Sequence, residues 1–105
     1  MNYQLLYLDE VLADVKEAKA WYKDKSEGLE LRFAQAVEFI IEKIRKMPTA
    51  YPIRYRNVRF ARTKVFPYII HFYIDDPKKQ VIITAIVHKK RSPSFVVGRG
   101  LWHLV

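Results

Sequence analysis

The chain has no cysteine. That excludes a disulfide framework and any thiolate zinc site, and it points to a reducing, cytoplasmic setting. No run approaches the roughly 18 apolar residues of a membrane span, so no membrane association is expected. The opening Met1-Asn2-Tyr3-Gln4-Leu5 lacks the basic start and long apolar centre of a signal peptide. Three glycines and five prolines in 105 residues leave no linker, repeat or low-complexity segment. Acidic residues are missing from long stretches. Between Lys43 and Ile74 there are eight bases and no acid, and no acid follows Asp76. The three histidines include no pair at the i, i+4 spacing of a helical metal site, so no metal and no cofactor are expected.

What is present argues for one packed domain spanning residues 1–105. Half of the residues are hydrophobic, with six Phe, seven Tyr and two Trp, too many for a disordered chain. The net charge of +8 is divided unevenly. Residues 1–42 hold nine acids and five bases, a balance of −4, and residues 43–105 hold fourteen bases and two acids, a balance of +12. Lysines often serve only solubility, but the arginines gather here, and arginine is the better ligand for phosphate and carboxylate. A basic face of this kind suits nucleic acid, a ribosome or an acidic protein partner.

The pattern predicts a short strand at Tyr3–Leu8. A helix follows, capped by Asp9, with Leu12, Val15, Ala18, Lys19 and Tyr22 on one face. Ser26 and Gly28 break it, with Ser26 available as the next cap. A second helix runs from Glu27 to about Lys46, with Leu29, Phe33, Val37, Ile40, Ile41 and Ile44 as its apolar stripe, and Pro48 stops it. Tyr51-Pro52 opens a loop. Arg54, Arg56, Arg59, Arg62 and Lys64 then alternate with apolar residues, which predicts a strand near residues 57–65 with one cationic face. The runs Val65–Ile74 and Val81–Val87, joined by Asp75-Asp76-Pro77-Lys78-Lys79, read as an antiparallel hairpin covered on both faces. It exits through His88-Lys89-Lys90-Arg91-Ser92-Pro93. The tail from Ser94 is apolar, and Gly98 and Gly100 argue against a long helix there. The expected fold is α+β, in the order β-α-α-β-β-β, with a helical hairpin on one face of a small, mainly antiparallel sheet.

Arg62-x-x-x-Phe66-Pro67-Tyr68-x-Ile70-x-Phe72-Tyr73, followed by a strand ending in Val87-His88-x-x-Arg91-x-Pro93, resembles the RelE/ParE family of toxins from type II toxin–antitoxin modules. Ala18, Trp21 and Tyr22 of the first helix, and the stripe of the second, extend the resemblance over nearly the whole chain. It implies a plasmid-stabilisation toxin neutralised by a cognate acidic antitoxin bound on the sheet and the helix groove. Two chemistries share this fold: RelE-like members cut messenger RNA in the ribosome, and ParE-like members poison DNA gyrase. The Phe-Pro-Tyr and His-x-x-Arg-x-Pro pieces look more like the ParE branch.

RNA cleavage needs a proton acceptor for the 2′-hydroxyl, cations for the phosphorane and a donor to the leaving oxygen. Cutters often carry a cation after the Tyr68 position and a Tyr or His near the C-terminus. Here those places hold Ile69 and Phe95. The reading is therefore a growth inhibitor that acts on gyrase and is not an enzyme, with Arg59, Arg62, Lys64, Lys89, Lys90 and Arg91 as target-binding residues. The alternatives are a ribosome-dependent mRNA endoribonuclease using Arg62, His71, His88 and Arg91, or a non-toxic antitoxin-binding module. His71 and His88 also have structural readings, as a hydrogen-bonded residue within an apolar strand and as a holder of the strand end. His103 carries no expected role. Glu38 and Glu42 read as the solvated side of the second helix, and Trp21 and Tyr22 as a helix end packed on the sheet.

Overall fold

The computed structural model describes residues 2–91 and residue 99. The elements are β1 (Gln4–Tyr7), α1 (Asp9–Lys25), α2 (Leu29–Lys46), a short 3-10 turn (Pro48–Ala50), β2 (Ile53–Tyr55), β3 (Val58–Arg62), β4 (Tyr68–Asp75) and β5 (Gln80–His88). The strands form one sheet in the order β1-β5-β4-β3-β2. β1 runs parallel to β5, and the other neighbours are antiparallel. Ile53–Tyr55, expected as loop, is a short edge strand paired with β3. Conversely, Val65, Phe66 and Pro67 belong to the loop before β4.

The helical hairpin packs on one face of the sheet. Phe33, Val37, Ile40 and Ile44 of α2 meet Ile70, Phe72 and Ile83 in one buried cluster. Each such side chain contributes roughly 1.5–3 kcal/mol by leaving water. Helix α1 is rotated relative to the expected stripe: Val11 and Ala18 are buried, whereas Leu12 is 69% exposed. Val11, Val15, Ala18 and Tyr22 satisfy the same helical period and all join the cluster. Neither expected cap forms. Asp9 is the first helical residue after an extended Leu8, and the residue before α2 is Gly28, at φ 88°. Glycine permits that left-handed turn, which lets the second helix start within three residues of the first. Asp9 and Glu10 still lie in the first turn of α1, where they complement the helix dipole.

Val81–Val87 and Ile69–Tyr73 are buried without interruption, so both faces of the β4–β5 hairpin are covered. The pairing contains a bulge: His71 faces Ala85 and Phe72 faces Ile83, which leaves Thr84 as the extra residue. Thr84 Oγ1 lies 3.3 Å from the His71 carbonyl oxygen. β1 covers β5 only as far as Ile83. Beyond it, Asp14 of α1 accepts a 3.0 Å bond from the Ile86 amide. Arg99 reaches the same edge, with its guanidinium 2.7 and 2.8 Å from the two Asp14 oxygens and 3.0 Å from the Thr84 carbonyl. Among the described residues no helix is long and apolar enough to cross a membrane.

Candidate target-binding surface

The β3–β4 loop is built from two part-buried aromatic anchors and one buried threonine. Phe66 lies 4.9 Å from Tyr22 and 5.4 Å from Phe33, and Tyr68 lies 5.0 Å from Phe33, measured between ring centres. Thr63 is 7% exposed, and its hydroxyl sits 2.8 Å from the Phe66 carbonyl oxygen. Its amide bonds the Tyr68 carbonyl at 3.1 Å, and the Tyr68 amide bonds Phe66 at 2.8 Å. The Lys89 amide closes on the Pro67 carbonyl at 2.8 Å, so the exit of β5 is tied to this loop. Arg62, Lys89, Thr63, Val65 and Phe66 thereby surround an open cleft of about 230 Å³. Tyr68 lines this cleft and also a smaller one of about 70 Å³ on its other side, with Asp14, Glu17, His88 and Arg91.

The expected cations are thus divided. Arg62 and Lys89 share one cleft, and Arg91 lines the other with two carboxylates. Lys90 is exposed at the strand exit, where its amide donates to His88 Nδ1 at 3.1 Å. Lys64 lies 5.4 Å from the centre of the Phe39 ring on α2, a ring that Lys43 approaches to 4.9 Å. Arg59 departs from the expectation of one cationic face. Side chains alternate along a strand, so residues three apart point to opposite faces. Arg59 is half-buried, and its guanidinium donates a 2.6 Å bond to the Tyr51 carbonyl. An Arg59 substitution therefore disturbs the fold, which separates it from Arg62.

His71 is 2% exposed, stacked 4.2 Å from Phe60, with Nδ1 3.3 Å from the Tyr55 hydroxyl. Burial, aided by the Arg99 charge, lowers its pKa to about 4, so the ring is neutral at physiological pH. His88 Nδ1 accepts the Lys90 amide, so a neutral ring carries its proton on Nε2 and offers a donor. Burial raises the Tyr68 hydroxyl above its ordinary value, and nearby Glu17 adds to the rise. Phe95 and His103 lie outside the described residues.

A third concavity, about 440 Å³, runs between the helices and β1. Val11, Leu12, Val15, Val37 and Ile41 form its apolar lining, and Lys16, Lys19 and Glu38 also line it. Glu42 is engaged in an ion pair with Arg45 along α2. Trp21 is 57% exposed and carries the Lys25 ammonium 4.1 Å from its ring centre; Tyr22 is the partner packed inward. Among the described residues no group of three His, Asp or Glu stands close enough to hold a metal ion.

Three participants were not marked by the sequence pattern. Thr63 and Asp14 each stood in an ordinary polar position, and Arg99 was one base within an apolar tail. A carboxylate at the inward edge of α1 was the available signal for an unpaired strand edge. It had no meaning until β1 was known to end at Ile83.

The fold has close relatives among solved structures. The chromosomal ParDE toxin–antitoxin system from P. aeruginosa contains a chain that is 16% identical, with a TM-score of 0.72 over 82% of this chain and 95% of that one. The toxin–antitoxin complex RelBE2 from Mycobacterium tuberculosis gives 22% identity and a TM-score of 0.62, over 84% and 99%. The free form of an arginine-to-alanine double mutant of E. coli toxin RelE gives 14% and 0.64, over the full length of both chains. At these identities the likeness concerns the fold. No protein of curated function matches significantly. The family described as ParE toxin of type II toxin-antitoxin system, parDE, matches residues 5–93. This chain belongs to that ParE toxin family.

Proposed function

We propose that this toxin arrests growth by binding and poisoning DNA gyrase through its basic loop and strand exit, without cutting RNA. The observation that supports this reading is that, among the described residues, neither His71 nor His88 shares a cleft with a pair of cations. Arg62 and Lys89 share a cleft with Tyr68 and, among the described residues, with no histidine; burial raises the Tyr68 pKa, which keeps its hydroxyl protonated and unfit as a base. His88 shares its cleft with one cation, Arg91, with Glu17, whose negative charge opposes a phosphate, and with Asp14, which is already paired with Arg99. His71 is buried and engaged with Tyr55. Losing a positioned acid or base typically costs about a hundredfold to ten-thousandfold in rate. Arg62, Lys64, Lys89, Lys90 and Arg91 are then binding residues.

Its partner in the resting state is an acidic antitoxin with an amphipathic segment. The apolar groove between α1 and α2, with Lys16 and Lys19 in its lining, supports that assignment. Adding the purified chain to gyrase with relaxed plasmid, and separately to programmed ribosomes, tests the reading. Impaired supercoiling or trapped cleaved plasmid with intact mRNA is expected. Codon-linked mRNA cuts that vanish in His88→Ala would favour the endoribonuclease, for which the shared cleft of His88 and Arg91 is the supporting feature. Inactivity in both assays, with antitoxin binding retained, would leave a non-toxic antitoxin-binding module.

A further inference from the structure

Val65 combines two unfavourable features. Its backbone is left-handed, at φ 74°, and its side chain is 92% exposed. A β-branched residue is disfavoured in that region because its branched side chain crowds the backbone, and glycine or asparagine would fit better. Nothing gained inside the fold offsets this, since the side chain is in water. The conformation is imposed from both sides: Thr63 bonds the Phe66 and Tyr68 carbonyls, and Phe66 is held among Tyr22 and Phe33. The loop is thus a braced support for one outward methyl pair.

Its surroundings state what it would meet. Val65 lines the same cleft as Arg62 and Lys89, and its neighbour Lys64 leans over the half-exposed Phe39 beside Lys43. Of the apolar side chains lining the cleft, Phe66, Pro67 and Tyr68 are part-buried and Val65 stands out in solvent beside the cations, with no carboxylate among the described lining residues. A nucleic-acid strand would use cations and open aromatic faces; the cleft's rings, Phe66 and Tyr68, are part-buried against Tyr22 and Phe33, and the exposed valine has no π face to stack. An apolar knob ringed by cations complements an apolar socket with a carboxylate rim.

We propose that Val65 is the anchor by which the toxin engages its target, and that the target surface is an apolar socket on a protein, bordered by acidic residues. This rests on the reading of a protein target and names the contact on the toxin's side. Strain held at an exposed position fits a binding role, because a change that relieves it should cost function and not stability.

The test compares the wild-type chain with Val65→Asn and Val65→Ile, induced in cells without antitoxin. Asparagine accepts the left-handed backbone and removes the apolar group; isoleucine keeps it. The expected result is more than tenfold weaker growth arrest for V65N, as for loss of an interface anchor, and near wild-type arrest for V65I. The V65N melting temperature should equal or exceed that of the wild type, with antitoxin binding unchanged. Full arrest by V65N would overturn the proposal, as would equal loss in V65I, or no arrest by the wild type. Titration with labelled single-stranded RNA and duplex DNA adds a further arm, and a Val65-dependent loss of either affinity would also overturn it. Val65-dependent arrest without gyrase inhibition would keep the anchor and reject gyrase as the target.

Discussion

Two groups of arginines on this small protein are used in opposite ways. Arg99 and Arg59 are turned into the structure. The Arg99 side chain is 11% exposed, forks onto an Asp14 that is 10% exposed, and bonds the Thr84 carbonyl as well. Arg59 spends its guanidinium on the Tyr51 carbonyl. Arg62, three residues from Arg59 on the same strand, is exposed and lines a cleft with Lys89. A charge of +12 on residues 43–105 therefore overstates what is available to a partner. Cations next to unpaired strand edges or loop carbonyls are consumed by the backbone, whose buried polar groups require partners.

The largest effect that could break this division concerns Asp14. Asp14→Ala removes the acceptor of Arg99 and of the Ile86 amide together. Breaking a buried pair from one side typically costs about 3–5 kcal/mol. Urea unfolding should show a loss of that order, and a cycle with Arg99→Ala should show strong non-additivity. A loss below about 1 kcal/mol would mean the pair is not structural.

Next in size is the pH dependence of the inward side. Because the folded pKa of His71 is about 4, below its ordinary 6.5, the unfolded chain binds more protons in that interval. Stability should be full above pH 6.5 and should decline as pH falls toward 4. The His71 share of that decline is at most about 3 kcal/mol. His71→Phe should flatten the corresponding part of a melting-temperature profile, and an unchanged slope would refute the assignment.

Arg59→Ala should lower stability by about 2 kcal/mol, because the Tyr51 carbonyl loses a charged donor. On the helical side, Leu12→Asp should weaken antitoxin affinity by about tenfold or more. It should leave the melting temperature nearly intact, since Leu12 is exposed. Calorimetric titration of the antitoxin reads this directly. The smallest stability effect belongs to Arg62→Ala, within about 0.5 kcal/mol, as for an exposed surface side chain. It should nonetheless lose growth arrest. Equal destabilisation by the Arg59 and Arg62 changes would erase the distinction between the two groups.

Much of the architecture was legible along the chain. Apolar residues at helical steps identified α2, and the uninterrupted runs identified β4 and β5 as covered on both faces. Pro48 and Gly28 marked breaks through local backbone chemistry that no distant contact alters. The rotation of α1 was less legible, because Leu12 and Val11 both fit a helical period and the choice depends on where the sheet lies. The short strand β2 was invisible, since three residues after a proline carry little pattern of their own.

While the toxin family was legible only as a resemblance in its motif residues, the composition and periodicity of this chain were enough to specify two helices on a sheet and a charge divide. These rest on local preferences and on summed charge, which adjacent residues carry without reference to the fold. The allocation of individual charges was a matter of packing. Arg59 and Arg62 look alike in sequence, and strand alternation sends one to a carbonyl and the other to a cleft. Asp14 and Arg99 are separated by 85 residues and meet only because β1 ends before β5 does. Whether a cation binds a partner or supports the backbone depends on which unpaired group lies within hydrogen-bond reach, and that is a property of three-dimensional neighbours.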